Sequence, residues 1–185
     1  MGITRTEAPT DTLITLAQLK KRLRIIHSLD DDDLTQMLKE ARARIEADSG
    51  LAITPQTWTD TRHCFPRGPI KIAVAPVQEV TVSYYDESNE LVELDPSEYY
   101  VDKTDLRCKL YPVESWPSTY NRPAAVIIEL ECGYESIPED AQAACFWYCG
   151  HANRNREAVI AGTIATTLPL GYWDCINGLR KDFIG

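Results

Sequence analysis

Cys149 and His151 stand two residues apart, the pairing from which a thiol nucleophile and its base are built. The surrounding sequence reads as helix, and helical residues two apart point to different sides, so the pair does not converge. No third group that would orient the histidine can be assigned. A zinc site has better spacing: Cys145 and Cys149, at i and i+4, share a helix face, and His63 or His151 could join them. The pattern supplies no fourth ligand, and two thiols on the apolar side of a helix pack more often than they coordinate. Asp30-Asp31-Asp32-Asp33 invites a cation, but successive helical residues turn by about 100°, so four such carboxylates cannot face one ion. Their place ahead of an apolar stripe predicts a different task, capping free N–H groups and favouring the positive end of a helix dipole. The chain has no glycine-rich phosphate loop, no His-Glu-x-x-His and no Gly-x-Ser-x-Gly. These residues predict no catalytic group, no metal ligand and no cofactor.

The elements that hold these residues fall into an interrupted pattern. Helical periodicity lies at the two ends, roughly residues 15–49 and 138–183, and a stretch rich in Pro, Tyr and Val separates them. Thr15 followed by Gln18 reads as a capping box for a first short helix carrying Leu16, Leu19, Leu23 and Ile26. Behind the acidic run, Leu34, Met37, Leu38, Ala41 and Ile45 make one stripe, with Gly50 as a stop. Residues 1–12 are polar and predict a flexible arm.

From residue 51 to 133 the period changes to two. Residues 80–85 and 91–94 predict a hairpin around Asp86–Asn89, and Asp95–Glu98 a second turn before Tyr99-Tyr100-Val101. Residues 106–111, 125–130 and 57–62 complete a predicted sheet of five strands, kept short and antiparallel by its prolines. Tyr84, Tyr85, Tyr99, Tyr100, Trp116 and Tyr120 either fill this sheet's core or serve an interface.

Pro138-Glu139-Asp140 opens a third helix with Ala141, Ala144, Cys145, Tyr148, Cys149 and Ala152 on one side. Phe146 and Trp147 widen its apolar arc, which predicts the buried centre of the bundle. Residues 158–167 predict a loop, and Trp173, Ile176, Leu179 and Phe183 a final stripe.

Composition narrows the function classes. Nineteen basic against 28 acidic residues give a formal net charge of −9, which disfavours tight binding to a phosphate backbone. The six cysteines follow no framework spacing and predict buried free thiols. No apolar run approaches the ~20 residues that span a bilayer, and residues 1–9 have no signal-type apolar core. The expected location before any assembly is therefore the host cytoplasm.

The order of short motifs carries more than any one of them. They begin with the Thr15-x-x-Gln18-Leu19-Lys20 opening, the acidic start of the second helix, and Tyr84-Tyr85-Asp86. Leu94-Asp95-Pro96-Ser97-Glu98-Tyr99-Tyr100-Val101-Asp102 and Arg122-Pro123-Ala124-Ala125-Val126 follow. Gly133-Tyr134, Ile137-Pro138-Glu139-Asp140, Asn155-Arg156-Glu157-Ala158-Val159 and Leu168-Pro169-Leu170-Gly171 close the series. Taken in sequence, these resemble the head–tail connector (adaptor) proteins of tailed bacteriophages, in their longer branch with a β insertion. Cys132 before Gly133-Tyr134, and the number of cysteines, depart from that family's pattern.

The resemblance implies an α+β fold, a small helical bundle interrupted by an antiparallel β-sheet insertion. It divides the chain into an arm (1–12), a helical connector core (13–50 and 134–185) and the insertion (51–133). It implies a structural, non-enzymatic virion protein of the neck that forms a ring of about twelve copies beneath the portal protein. Such a ring extends the channel, lets genomic DNA pass without specific binding, and docks the next neck or tail protein, a stopper or tail terminator. The assembly interface is expected at Asn155, Arg156, Glu157, Leu168, Pro169, Tyr172, Trp173, Ile176, Leu179 and Phe183, with the last helix presenting an exposed apolar stripe. The alternatives from other classes are a metal-dependent hydrolase and a β-sheet recognition module that binds a capsid or host surface.

Overall fold

Residues 2–104, 107–155 and 168–181 (backbone only at Lys181) are described in the computed structural model of the chain. Two units share them. One takes the described parts of Met1–Thr10 and Leu51–Glu135, and the other those of Asp11–Gly50 and Ser136–Gly185.

The helical unit starts where Thr15 caps α1 (Leu16–Leu23), and the capping box with Gln18 is formed in both directions. Arg24 then takes a left-handed conformation (φ 59°) and ends the helix. Ile26, predicted to ride on this helix, instead lies beyond it and is 97% exposed. The helix α2 (Asp31–Ser49) buries Leu34, Leu38, Ala41 and Ile45, the stripe its sequence displays, and stops at Gly50 with φ 75°. Asp31, Asp32 and Asp33 do occupy its first turn, where they favour the dipole. Asp30 makes no side-chain capping bond, contrary to expectation, and Asp31 instead pairs with Lys20 at 2.6 Å.

The third helix, α3 (Glu139–Arg154), buries Ala141, Ala144, Cys145 and Cys149. Gly171 and Gly178 of α4 (Leu170–Lys181) face side chains of this helix. A Cβ on Gly178 would lie 2.2 Å from an Asp140 carboxylate oxygen, and one on Gly171 would lie 2.7 Å from the Trp147 ring. Trp147 thus spreads over the α4 backbone and stays 46% exposed, rather than lying in the bundle centre as predicted.

In the β unit the expected hairpin is present as β4 (Val77–Tyr85) and β5 (Leu91–Glu93), but the described residues form eight strands rather than five. The others are β1 (Gly2–Glu7), β2 (Gln56–Arg62), β3 (Ile70–Lys71), β6 (Tyr99–Asp102), β7 (Lys109–Pro112) and β8 (Val126–Cys132). They make a five-stranded sheet in the order β1-β2-β8-β4-β5 and a three-stranded sheet in the order β3-β7-β6. All pairings are antiparallel. Val126, Ile128 and Leu130 of the central β8 meet Ile70 and Leu110 of the smaller sheet in one core. Each such side chain contributes about 1.5–3 kcal/mol by leaving water.

The predicted arm is a correction. Residues 2–7 are an edge strand paired with β2, from Gly2 opposite Thr61 to Glu7 opposite Thr57. Every side chain of β1 is exposed, so no apolar alternation could announce it. Ladder bonds hold it, with Thr6 and Thr59 hydroxyls at 2.6 Å and Arg5 over the Trp58 ring at 5.9 Å.

Candidate functional site

The last helix decides where an assembly surface can lie. Its buried positions are Tyr172, Ile176 and Leu179, at i, i+4 and i+7. The predicted stripe shares Ile176 and Leu179 with this face but began at Trp173, which is only half-buried and sets its ring edge-on to Tyr172 at 5.2 Å. Tyr172 is wholly enclosed, and its hydroxyl donates to Asp48 Oδ2 at 2.7 Å. The same carboxylate oxygen accepts from Arg44 Nε at 2.8 Å, and the Arg180 guanidinium donates to the Asp48 carbonyl. Burial, and then the Asp48 carboxylate, push the Tyr172 phenol above its ordinary value of 10.

Ile176 and Leu179 of the expected exposed stripe are therefore closed within the bundle, as is Tyr172. Releasing Tyr172, Ile176 and Leu179 to water would cost about 5–9 kcal/mol. Whole domains are stable by about 5–15 kcal/mol, so these three cannot serve as a free partner surface. Of the other predicted interface positions, Asn155 is exposed beyond α3, with its Nδ2 donating to the His151 carbonyl at 2.8 Å. Leu168 and Pro169 are half-buried at the start of α4. Arg156, Glu157 and Phe183 lie outside the described residues, as does the predicted loop at 158–167.

Sequence reasoning missed the face of α3 opposite its buried stripe. Ala143, Trp147, Gly150 and Arg154 repeat there at i, i+4, i+7 and i+11. With Arg22, Leu23, Phe146, His151, Asn155 and Pro169 they line a cavity of about 430 Å³ within the helical unit. A helical wheel of α3 would have shown a second stripe carrying a tryptophan, which a single apolar arc absorbed into the core.

The other chemistry-bearing residues do not assemble. Cys145 and Cys149 sulfurs lie 4.0 Å apart, both fully buried. Their contact, and then burial, push the Cys145 thiol up, away from the nucleophilic and metal-binding thiolate. Burial pushes Cys132 up to about 12. Among the described residues no three His, Cys, Asp or Glu side chains gather to hold a metal ion, at Asp30–Asp33 or elsewhere.

The aromatic residues of the β unit divide by face. Tyr99 is buried, and Tyr84 and Trp116 pack against the core, where Phe65 stacks on Trp116 at 4.9 Å. Tyr100 and Tyr120 are 64% and 43% exposed. Arg122 covers the Tyr85 ring at 3.7 Å. Among the described residues no helix is long and apolar enough to cross a membrane.

A helical bundle with an antiparallel β unit inserted between its second and third helices is thus the class of protein defined here. No family model matches the chain, and no curated protein matches it in sequence. The fold itself has solved counterparts. One is a chain in the neck of an empty gene transfer agent (GTA) particle computed with C6 symmetry, at TM-score 0.77 and 18% identity over 97% of this chain and 95% of that one. A chain in the virion of a native GTA particle follows at TM-score 0.75 and 16% identity, with the same coverage. A chain in the neck of a native GTA particle computed with C12 symmetry gives TM-score 0.72 and 16% identity, again over 97% and 95%. At this identity the likeness is one of fold, and it runs the length of both chains.

Proposed function

We propose that this chain is a structural protein of a tailed-particle neck, a head–tail adaptor that rings the DNA path beneath a portal. The observation that carries the reading is the fold shared along 97% of the chain with chains of GTA necks. Fold alone does not dictate function, but an α+β arrangement this irregular, matched from end to end, leaves little room for a different scaffold. The C6 and C12 symmetries of those assemblies support a cyclic ring of about twelve copies. In this reading the protein waits in the host cytoplasm and ends in the virion, with the portal on one side and a stopper or tail terminator on the other. The acidic excess faces the channel, so DNA passes without adhesion.

The dispersed chemistry supports a non-enzymatic role over a metal-dependent hydrolase. The portal and subunit contacts include positions that the bundle leaves wholly or partly uncovered, among them Asn155, Leu168, Pro169 and Trp173, together with Leu170, which is 78% exposed. The exposed Tyr100 and Tyr120 suit the β unit to recognising a neighbouring virion protein. The test is to add purified protein to tailless, portal-bearing capsids and image the vertex. A ring of new density beneath the portal is expected. Capsids that remain bare, or decoration elsewhere on the shell, would overturn the reading.

A further inference from the structure

The connection between α1 and α2 carries the two most exposed large apolar side chains among the described residues, Ile26 at 97% and Leu29 at 89%. One exposed leucine needs no explanation. Two within four residues, followed by the exposed carboxylates of Asp32 and Asp33, make an apolar tooth with an acidic flank. The tooth has a firm base. Ile25 N–H donates to the Lys20 carbonyl at 3.0 Å, and Lys20 grips Asp31 at 2.6 Å, so both ends of the turn are tied to α1.

The same unit carries a cavity of matching chemistry. Its wall is Leu23, Phe146, Trp147 and Pro169, its cations are Arg22 and Arg154, and the His151 imidazole also lines it; no carboxylate does so among the described residues. At about 430 Å³ it falls within the ~300–1,000 Å³ range of true binding pockets. Trp147 is held at its edge by Gly171, whose missing Cβ leaves room for the ring. On a protein of net charge −9, an arginine-rimmed aromatic hollow stands out as a site for something acidic and apolar. A chain's own tooth does not fill its own hollow, because Ile26 and Leu29 remain exposed.

We propose that the Ile26–Asp33 turn of one copy docks in the Trp147 cavity of the next, with Leu29 as the anchor and Asp32 and Asp33 against Arg22 and Arg154. A tooth and a socket at different places on one chain make a head-to-tail contact, which repeats by rotation and closes into a ring. Apolar anchor and charge rim have separate tasks: the leucine supplies affinity and the ion pairs set register. The inference rests on the ring reading above and names the surfaces that join it.

The test uses two full-length variants that cannot polymerise. Ile26→Asp with Leu29→Asp removes the tooth and keeps the socket; Arg22→Glu with Arg154→Glu spoils the socket and keeps the tooth. All four positions are exposed, and amide spectra check that both variants fold. Isotope-labelled toothless chain is titrated with unlabelled socket-spoiled chain. Shifts of the Trp147 indole N–H and its neighbours are expected, with affinity falling at least about tenfold when the titrant also lacks Leu29. Asp32→Arg with Asp33→Arg should bind the socket-spoiled chain instead. No shift at Trp147, or equal shifts from a toothless titrant, would overturn the proposal. So would a duplex oligonucleotide that moves the same resonances, since the socket would then belong to nucleic acid. A ring imaged on the portal with its contacts elsewhere sinks this inference alone, whereas bare portals sink the neck reading.

Discussion

Removing the Tyr172 hydroxyl, as Tyr172→Phe, tests whether α4 is pinned to α2 as described. The ring stays enclosed, so no cavity opens, and only the 2.7 Å bond to Asp48 Oδ2 is lost. A hydrogen bond to a charged group contributes about 1.5–3 kcal/mol. Here the lower end applies, because the Asp48 side chain is 15% exposed and keeps its Arg44 donor at 2.8 Å. The expected loss is about 1.5 kcal/mol, or a fall in Tm of about 3–6 °C for a chain of this length. Tyr172→Ala should cost about 3–5 kcal/mol, because it adds a cavity. Thermal unfolding followed by the helical circular-dichroism signal reads both variants. Pairing Tyr172→Phe with Arg44→Ala should give a non-additive cycle, since both donors converge on one carboxylate oxygen. A Tyr172→Phe protein within about 0.5 kcal/mol of the parent, with additive behaviour, would refute the pin and reopen α4 as a detachable segment.

Three further outcomes follow from the same structure. Arg62→Ala should cost about 3 kcal/mol or more in denaturant titrations, because it strands the Asp60 carboxylate, 3% exposed and 2.7 Å from that guanidinium; a change under about 1 kcal/mol would show that the pair is not structural. Gly133→Ala should destabilise the β unit and lower soluble yield, since φ is +126° and a Cβ would sit 2.8 Å from the Thr54 backbone; unchanged melting would contradict that close approach. The part of the stability linked to two buried acids should be present in full below about pH 9 and be lost as pH rises further. The Cys132 and Tyr172 acid groups are both raised in the folded chain, so the unfolded chain releases their protons first. Tyr172→Phe and Cys132→Ala should each flatten that alkaline limb in equilibrium unfolding.

Local signals were strong enough to place most elements without the fold. The Thr15–Gln18 box, the α2 stripe with Gly50, the β4–β5 hairpin and the α3 helix behind Pro138 each depend on residues a few positions apart. The resemblance to phage connectors was legible for the same reason, as an order of such signals along the chain. What failed were statements about partners far away in sequence. β1 is a strand only because β2 offers it a ladder across fifty residues or more, and its six exposed residues leave no trace of burial. Trp147 looked like core, and Ile176 and Leu179 looked like a free assembly stripe, but apolar character does not say which side of a helix meets the bundle. That depends on where Gly171 and Gly178 allow α4 to approach α3. The tooth at Ile26 and Leu29, and the socket at Trp147, are likewise products of packing: each is defined by what the bundle does not cover. Sequence by itself determined periodicity, caps, turns and net charge, because those arise from neighbours in the chain. Tertiary structure alone decided which apolar faces are spent inside the protein and which remain to bind another, because burial is a property of contacts between distant residues.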